Sequence, residues 1–213
     1  MGAETFAPLA AALLLLLISF PVHEAAHATA AWKLGDGHAR ALGRVSLDPR
    51  RHIDPFGAGL LLLSALSGGG MIGWAKPTPV MAQSLRGGSL GWAIVAIAGP
   101  LSNLLLAFIA AALYRLIGSP PASDTIGVLI VYFTYFNASL LFLNLLPIPP
   151  FDGRALLTGI LLLVSPRLAE VVEGLTSSRL AFPLVIVLLF FTPLGSLLGD
   201  LSFELTKLLL GPG

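Results

Sequence analysis

Residues 20–29 read FPVHEAAHAT, and this stretch decides how the rest of the chain is interpreted. It follows an apolar run, LAAALLLLLIS (9–19), that carries no charge. Residues 6–32 are therefore long enough to cross a bilayer, for which about 20 apolar residues suffice. Titratable side chains are costly at that depth and mark functional positions there. The stretch predicts a membrane-spanning first helix that carries a chemical site.

The composition agrees with a membrane protein. Hydrophobic residues make up 56% of the 213 residues and charged residues only 11%, whereas soluble domains carry about 25% charged residues. The net charge of +1 gives no reason to expect a nucleic acid partner. The absence of cysteine excludes disulfides and thiolate metal sites. We expect one integral-membrane domain over 1–213, with the first apolar run retained as a helix rather than cleaved as a signal peptide.

Apolar segments of two lengths follow the first helix. Those long enough to span the membrane are 89–117, 126–146 and 180–210, the last with a break at 193–199, and the shorter ones are 56–70 and 155–164. Residues 165–179 are predicted to be a polar loop. The predicted fold is therefore an all-α polytopic membrane protein with about four full transmembrane helices and one or two short or re-entrant segments. Glycines and alternation over 68–80 predict a small β-like edge.

The basic residues predict the orientation. Seven of the twelve lie between positions 33 and 86, which by the positive-inside rule places that region in the cytoplasm and the N-terminus outside. Segment 56–70 has basic flanks on both sides, so a re-entrant or interfacial path is favoured over a full crossing. The expected location is the inner (cytoplasmic) membrane, with the site toward the cytoplasmic side.

The pattern His-Glu-x-x-His predicts a zinc site. On a helix, His23 and His27 lie one turn apart on the same face, where their rings can bind one Zn²⁺. Glu24 lies about 100° round the helix and can serve as the general base of hydrolysis, since zinc lowers the pKa of a coordinated water to about 7. The alternative is that the histidines only pack or form hydrogen bonds.

A catalytic zinc ion keeps three protein ligands, so a third is needed. Asp152 ends a stretch, 125–151, that contains no charged residue, and the prolines just before it interrupt the helix so that one carboxylate can point inward. Two neutral histidines, one aspartate and one hydroxide also neutralise Zn²⁺, which favours a site of low dielectric. The alternatives are a plain Asp-Gly turn at 152 and ligation by His38 or His52, which the basic segment makes interfacial or solvated.

Two asparagines lie in apolar runs. Asn103 and Asn144 each carry an amide whose donors and acceptor need partners. They either join helices by hydrogen bonds or hold a substrate backbone or an oxyanion, and both interpretations stay open at this point.

Three motifs together resemble the site-2 protease family of intramembrane zinc metalloproteases. They are HEAAH (23–27), AGPLSN (98–103) and NLLPIPPFDGR (144–154), in the family's order and spacing. The similarity covers most of 15–165 and is greatest to the short bacterial members without PDZ or CBS domains. Where the family has a second glycine after Asp-Gly, this chain has Arg154.

The resemblance implies a role for each motif residue. His23, His27 and Asp152 would hold one zinc ion per chain, Glu24 would be the base, and Asn144 and Asn103 would contact the substrate. The substrate would be another membrane protein, cut in or near a transmembrane segment. The alternatives are a catalytically silent zinc-binding pseudoprotease or scaffold, against which the intact Glu24 argues, and a zinc carrier, which would need further polar residues along a route.

Overall fold

The computed structural model describes residues 3–67, 71–121, 124–176 and 181–211. Within these ranges the chain is helical and contains no strand, so the predicted all-α class is confirmed. The helices are Ala3–Leu14 (α1), Phe20–Lys33 (α2), His38–Ala41 (α3), Pro55–Ser67 (α4), Ser89–Leu116 (α5), Thr125–Asn144 (α6), Asp152–Val164 (α7), Pro166–Thr176 (α8), Ala181–Phe191 (α9) and Leu194–Leu210 (α10).

Three helical stretches are long and apolar enough to cross a membrane: Ala7–Lys33, Ser89–Leu116 and Thr125–Asn144. A fourth crossing is made only if the pair Pro183–Phe191 and Leu194–Leu210, bent by 68°, counts as one span. The bend lies at the start of the predicted break, because Pro193 lacks the N–H that would continue α9. The chain is therefore a multi-pass membrane protein. It has three crossings, or four if the bent pair is counted as one span.

The first span contains a π-turn. Leu15–Ser19 joins α1 to α2 in π-helical geometry, which accommodates one extra residue in a helix. Leu15 and Leu16 pack with Leu61 of α4 in a buried apolar cluster. Ser19 is fully buried one turn before His23. The π-turn thus lets the two halves of one helix face different neighbours.

Helix α5 is the centre of the molecule and packs against α2, α6, α7 and α10. Its buried face consists mostly of glycine, alanine and serine, which allow membrane helices to approach closely. At Gly159 of α7, an added Cβ would lie 2.9 Å from the Cβ of Ala93. The outer face of α5 exposes Leu105 and Phe108, as a lipid-facing surface requires. Small residues therefore set the spacing around the site.

The chain segments before and after helix α4 contact each other. Asp54 starts α4 by accepting a hydrogen bond from Gly57 N at 2.8 Å. Ile53 then forms an isolated antiparallel bridge with Ala75, and Lys76 N donates to His52 O at 2.7 Å. The β-like edge predicted for 68–80 is not confirmed: the described part, 71–80, is extended and makes only this bridge, and 68–70 lie outside the described residues.

Residues 165–176 differ from the prediction. The sequence predicts a polar loop over 165–179, whereas the structure forms α8 over Pro166–Thr176. Ser165 alone separates α7 from α8, and Pro166 at the helix start needs no hydrogen-bond acceptor. Leu168, Val171 and Leu175 recur at helical spacing and are exposed. This periodicity, masked by intervening charges, is what the loop prediction overlooked.

Candidate metal centre

Three side chains from two helices converge beside α5. His23 and His27 extend from α2, and Asp152 is the first residue of α7. The two Nε2 atoms lie 3.1 Å apart. Asp152 Oδ2 lies 3.1 Å from Nε2 of His23 and 3.2 Å from Nε2 of His27. The structure therefore brings the three predicted ligands together into a group that could hold one metal ion.

The other nitrogen of each ring is held by an acceptor. His27 Nδ1 lies 2.8 Å from the carbonyl oxygen of Val95, which can only accept a hydrogen bond. His23 Nδ1 lies 2.7 Å from Asn103 Oδ1. Both Nδ1 atoms therefore carry the proton, and in the neutral rings both Nε2 atoms present a lone pair to the centre.

A chain of amides fixes the orientation of Asn103. Asn137 Nδ2 donates to the carbonyl oxygen of Phe133 at 2.9 Å. Its Oδ1 is then left to accept from Asn103 Nδ2 at 3.1 Å, which leaves Asn103 Oδ1 to face His23. Asn103 and Asn137 are both fully buried. A backbone carbonyl in α6 thus determines, through two amides, which nitrogen of His23 is free to bind a metal.

The donor set fits zinc. Two imidazole lone pairs and a carboxylate oxygen point at one another, and Asp152 Oδ2 is buried and receives no hydrogen bond from the described residues. Such a cluster is repulsive unless a cation lies within it. Zinc bonds of 2.0–2.1 Å in a tetrahedron separate ligand atoms by about 3.3 Å, close to the distances found here. Nitrogen and oxygen ligands of this kind are those that zinc takes.

Gly99 of α5 forms one wall of the group. A Cβ added there would lie 2.3 Å from His27 Nε2 and 2.6 Å from His23 Nε2. No side chain fits at this position without displacing a ligand atom. The glycine of AGPLSN therefore allows the backbone of α5 to approach the ligands.

Glu24 is buried next to the histidines and is held by Thr78 and Arg44. Its Oε2 accepts a hydrogen bond from Thr78 N at 2.7 Å, and Thr78 Oγ1 donates to its backbone oxygen at 3.0 Å. Arg44 Nη2 lies 3.7 Å from the same Oε2. Among the described residues no hydrogen bond reaches Oε1. One carboxylate oxygen is thus anchored and the other is available to accept a proton.

Arg44 connects this carboxylate to two loops. Its guanidinium donates to the carbonyl oxygen of Arg51 at 2.7 Å and to that of Lys76, and the residue is only 4% exposed. Burial lowers the pKa of Arg44, although Glu24 opposes this effect. The residue counted as a cytoplasmic cation in the sequence analysis is therefore a buried connection between Glu24 and the extended segment.

His38 and His52 take no part in the group. His38 is exposed, as predicted. The expectation that His52 is interfacial or solvated is wrong: it is fully buried, and its Nε2 donates to the carbonyl oxygen of Ser46 at 2.7 Å. Burial lowers the pKa of His52. Its role is to hold the loop before α4.

Asn144, the other predicted asparagine, forms no hydrogen bond with the ligands among the described residues. Its Nδ2 donates to the carbonyl oxygen of Leu140 on its own helix at 2.9 Å, and the residue is half-buried. One residue that sequence reasoning missed is Asn137, an amide in the same apolar run. The available signal was that an amide within a membrane helix must find a partner.

Curated relatives were found by sequence comparison. The chain is 36% identical over 187 residues to a Bacillus subtilis (strain 168) protein named "Putative zinc metalloprotease YwhC", covering 85% of this chain and 80% of the relative. It is 33% identical over 201 residues to "Putative zinc metalloprotease Rip2" of Mycobacterium tuberculosis (strain H37Rv), covering 90% and 72%. No family model matches the chain. No solved structure matches it.

The site and these relatives define a class, the zinc metalloproteases of membranes. Within that class the chain belongs to the site-2 protease family, so the resemblance stated from the motifs is confirmed. Its cofactor is zinc, and the group of His23, His27 and Asp152 could hold one ion.

Proposed function

We propose that this chain is an intramembrane protease that hydrolyses peptide bonds in or near transmembrane segments of other membrane proteins. The observation that carries the proposal is the position of the metal-binding group. Two of its residues lie within the span Ala7–Lys33, and all three are at least half-buried between α2, α5 and α7. A peptide bond that reaches this group is one that lies in or beside the bilayer.

The residues divide into two roles in this proposal. His23, His27 and Asp152 hold one zinc ion, which supplies a Lewis acid and lowers the pKa of a water molecule. Glu24 is the general base and takes the proton of the attacking water at Oε1, while Thr78 holds Oε2. A carboxylate with one fixed and one free oxygen keeps its orientation while it accepts and returns a proton.

Two asparagines have different tasks. Asn103 is a positioning residue, because it is fully buried and its amide bonds to His23 and Asn137. Asn144 remains the residue that we propose to hold the substrate backbone. Its Nδ2 bonds to its own helix, and it stands at the end of α6 just before the turn that leads to Asp152. The side-chain oxygen of Asn144, Oδ1, can accept a hydrogen bond from a substrate N–H.

The extended segment 71–80 is the proposed place for the substrate. A helical substrate must unwind before its peptide bonds can be cut, and an extended partner can replace the hydrogen bonds that it loses. Thr78 in this segment contacts Glu24 directly, and Arg44 holds the carbonyl oxygen of Lys76. A peptide paired along this segment would therefore lie close to the proposed base.

The orientation completes the proposal. The whole of 1–213 forms one membrane domain in the inner (cytoplasmic) membrane, with the N-terminus outside and the site toward the cytoplasm. The seven basic residues between 33 and 86 support this orientation. Arg44 also donates hydrogen bonds to both the loop before α4 and the loop after it. This supports placing both loops on the same side of the membrane.

Two substitutions test the mechanism as a pair. Glu24→Gln keeps the shape of the side chain but cannot take a proton, so cleavage of a membrane substrate by the purified protein should fall by about 10²- to 10⁴-fold while zinc content stays the same. Asp152→Ala removes a ligand, so zinc content and cleavage should fall together. The readings are metal content and product formation on the same preparations.

Two outcomes contradict the proposal. Wild-type cleavage by Glu24→Gln would exclude Glu24 as the base. A wild-type protein that holds zinc and cuts no membrane substrate in a broad panel would favour the catalytically silent scaffold instead.

A further inference from the structure

A cavity of about 540 Å³ opens beside the metal-binding group. It lies between the start of α5, the turn before α7, and the facing sides of α7 and α8. Asp152 is part of its wall, so the cavity borders one residue of the metal-binding group. Its charged and aromatic lining residues are Trp92, Phe151, Asp152, Arg154 and Glu173.

Arg154 is an unusual residue for its position. It lies in the first turn of α7, where the helix dipole disfavours a positive charge, so it does not stabilise the helix. Its Nη2 pairs with Glu173 of α8, whereas its Nε is buried and makes no hydrogen bond to any described residue. An arginine carries five N–H donors in a planar fork that fits a carboxylate. The guanidinium thus has donor capacity left inside the cavity wall.

The charges around the cavity favour an anion. Arg154 is the only cation among the described residues that line it. Asp152 would be committed to zinc, whose charge one aspartate and one hydroxide would neutralise. The charges of Arg154 and Glu173 cancel. A carboxylate that enters the cavity therefore meets no net negative wall, and it meets the guanidinium of Arg154 and the positive end of α7.

We propose that this cavity is a carboxylate-binding subsite, in which Arg154 selects substrates that carry a carboxylate close to the bond that is cut. The inference rests on the proposed function, since it concerns the substrate of that reaction. The carboxylate is either an aspartate or glutamate side chain next to the membrane segment or a free carboxyl terminus. In both cases it takes up donors of Arg154 that the described residues leave unused.

The experiment uses the full chain with zinc and a set of membrane peptides that share one transmembrane segment. One peptide places glutamate at successive positions flanking the segment and a matched one places glutamine there. A second pair ends in a carboxylate or an amide. For the wild type, kcat/KM should be about tenfold higher for the carboxylate member of the effective pair. The pair that shows the preference identifies the source of the carboxylate.

Three variants locate the preference. Arg154→Gln should cut both members of the effective pair equally, and Arg154→Glu should prefer a peptide with lysine at that position. Glu173→Gln removes the competing carboxylate and should raise the preference above that of the wild type. Arg167→Gln, which removes an exposed cation of α8 outside the cavity, should leave the preference unchanged. Zinc content of each variant serves as the folding control.

The outcomes separate this inference from the function on which it rests. If the wild type cuts both members of every matched pair equally, the subsite proposal is wrong and the proposed protease function stands. If Arg154→Gln loses zinc, the test rests on Glu173→Gln instead. If that variant prefers the carboxylate peptide no more than the wild type does, the subsite proposal is also wrong. A zinc-loaded wild type that cuts none of these peptides and no membrane substrate in a broad panel overturns both.

Discussion

Asn137 shows how a side chain with no contact to the metal group still governs it. It orients Asn103, which in turn holds the Nδ1 proton of His23. Partners of this kind fix the ring and the tautomer of a ligating histidine, and their loss typically costs 10- to 100-fold in metal affinity. The strength of zinc binding is therefore set partly in α6, which contributes no ligand.

This chain of amides gives a prediction. Asn137→Leu removes the acceptor of Asn103 Nδ2, which frees that amide to turn its donor toward His23. Zinc affinity, measured by competition with a chelator, should fall by about 10- to 100-fold.

Asn144→Leu is the matched control, since it removes an amide of the same helix whose one hydrogen bond among the described residues is to Leu140. Its zinc affinity should equal that of the wild type, while its cleavage falls if Asn144 holds the substrate. Equal zinc affinity in the two variants would show that the amide chain does not act on His23.

Some of the site could be read from the sequence and some could not. The spacing of His23 and His27 fixes their shared face whatever the tertiary fold, and Asp152 stands out because no charge precedes it for many residues. Arg44 and Thr78 reach Glu24 only because distant loops meet there. No local pattern distinguishes a buried arginine in a basic loop from a solvated one, which is why the sequence placed Arg44 with the cytoplasmic charges.

The helices were predicted best where they are long. The first span, predicted at 6–32, and the helices Ser89–Leu116 and Thr125–Asn144 differ from the prediction by only a few residues. Helix α8 was missed because its apolar positions alternate with charges over a short stretch. The π-turn was missed because five consecutive leucines carry no signal about which turn holds the extra residue.

Helix α4 gives a prediction about the path of the chain. Its 13 residues extend about 20 Å, less than the roughly 30 Å of the hydrocarbon core, and its two flanks are joined where Ile53 pairs with Ala75. A segment whose ends are bonded to each other returns to the side from which it started.

Cysteines placed at Val45 and at Val80 should therefore both be labelled by a reagent only after the cytoplasmic side is opened. The labelling of intact cells with an impermeant reagent measures this. Labelling of either cysteine from outside would mean that segment 56–70 crosses.

The arrangement of the whole chain predicts a fourth crossing. Arg115, at the end of α5, donates through Nε to the carbonyl oxygen of Leu210 at 3.1 Å. The last turns of α5 and α10 therefore lie at the same level of the molecule, opposite the end that carries the metal group. Cationic side chains commonly hydrogen-bond the free carbonyls at a helix end.

A cysteine at Lys207 should accordingly be labelled from outside the cell, like one introduced near the start of the first helix. Protection of the cysteine at Lys207 from the impermeant reagent would mean that the bent pair α9 and α10 enters and leaves on the cytoplasmic side. A cysteine at Val45 serves as the internal control.

Because of the π-turn at Leu15–Ser19, the metal-binding group depends on the number of residues in the first span as well as on their chemistry. An α-helix advances about 100° per residue, so the extra residue rotates α1 relative to α2. Leu15 and Leu16 can then meet Leu61 while His23 faces α5. Adding one further residue between Leu16 and His23 alters no ligand, yet it puts the two packings out of phase. Substitutions between apolar residues preserve that phase, whereas such an insertion does not.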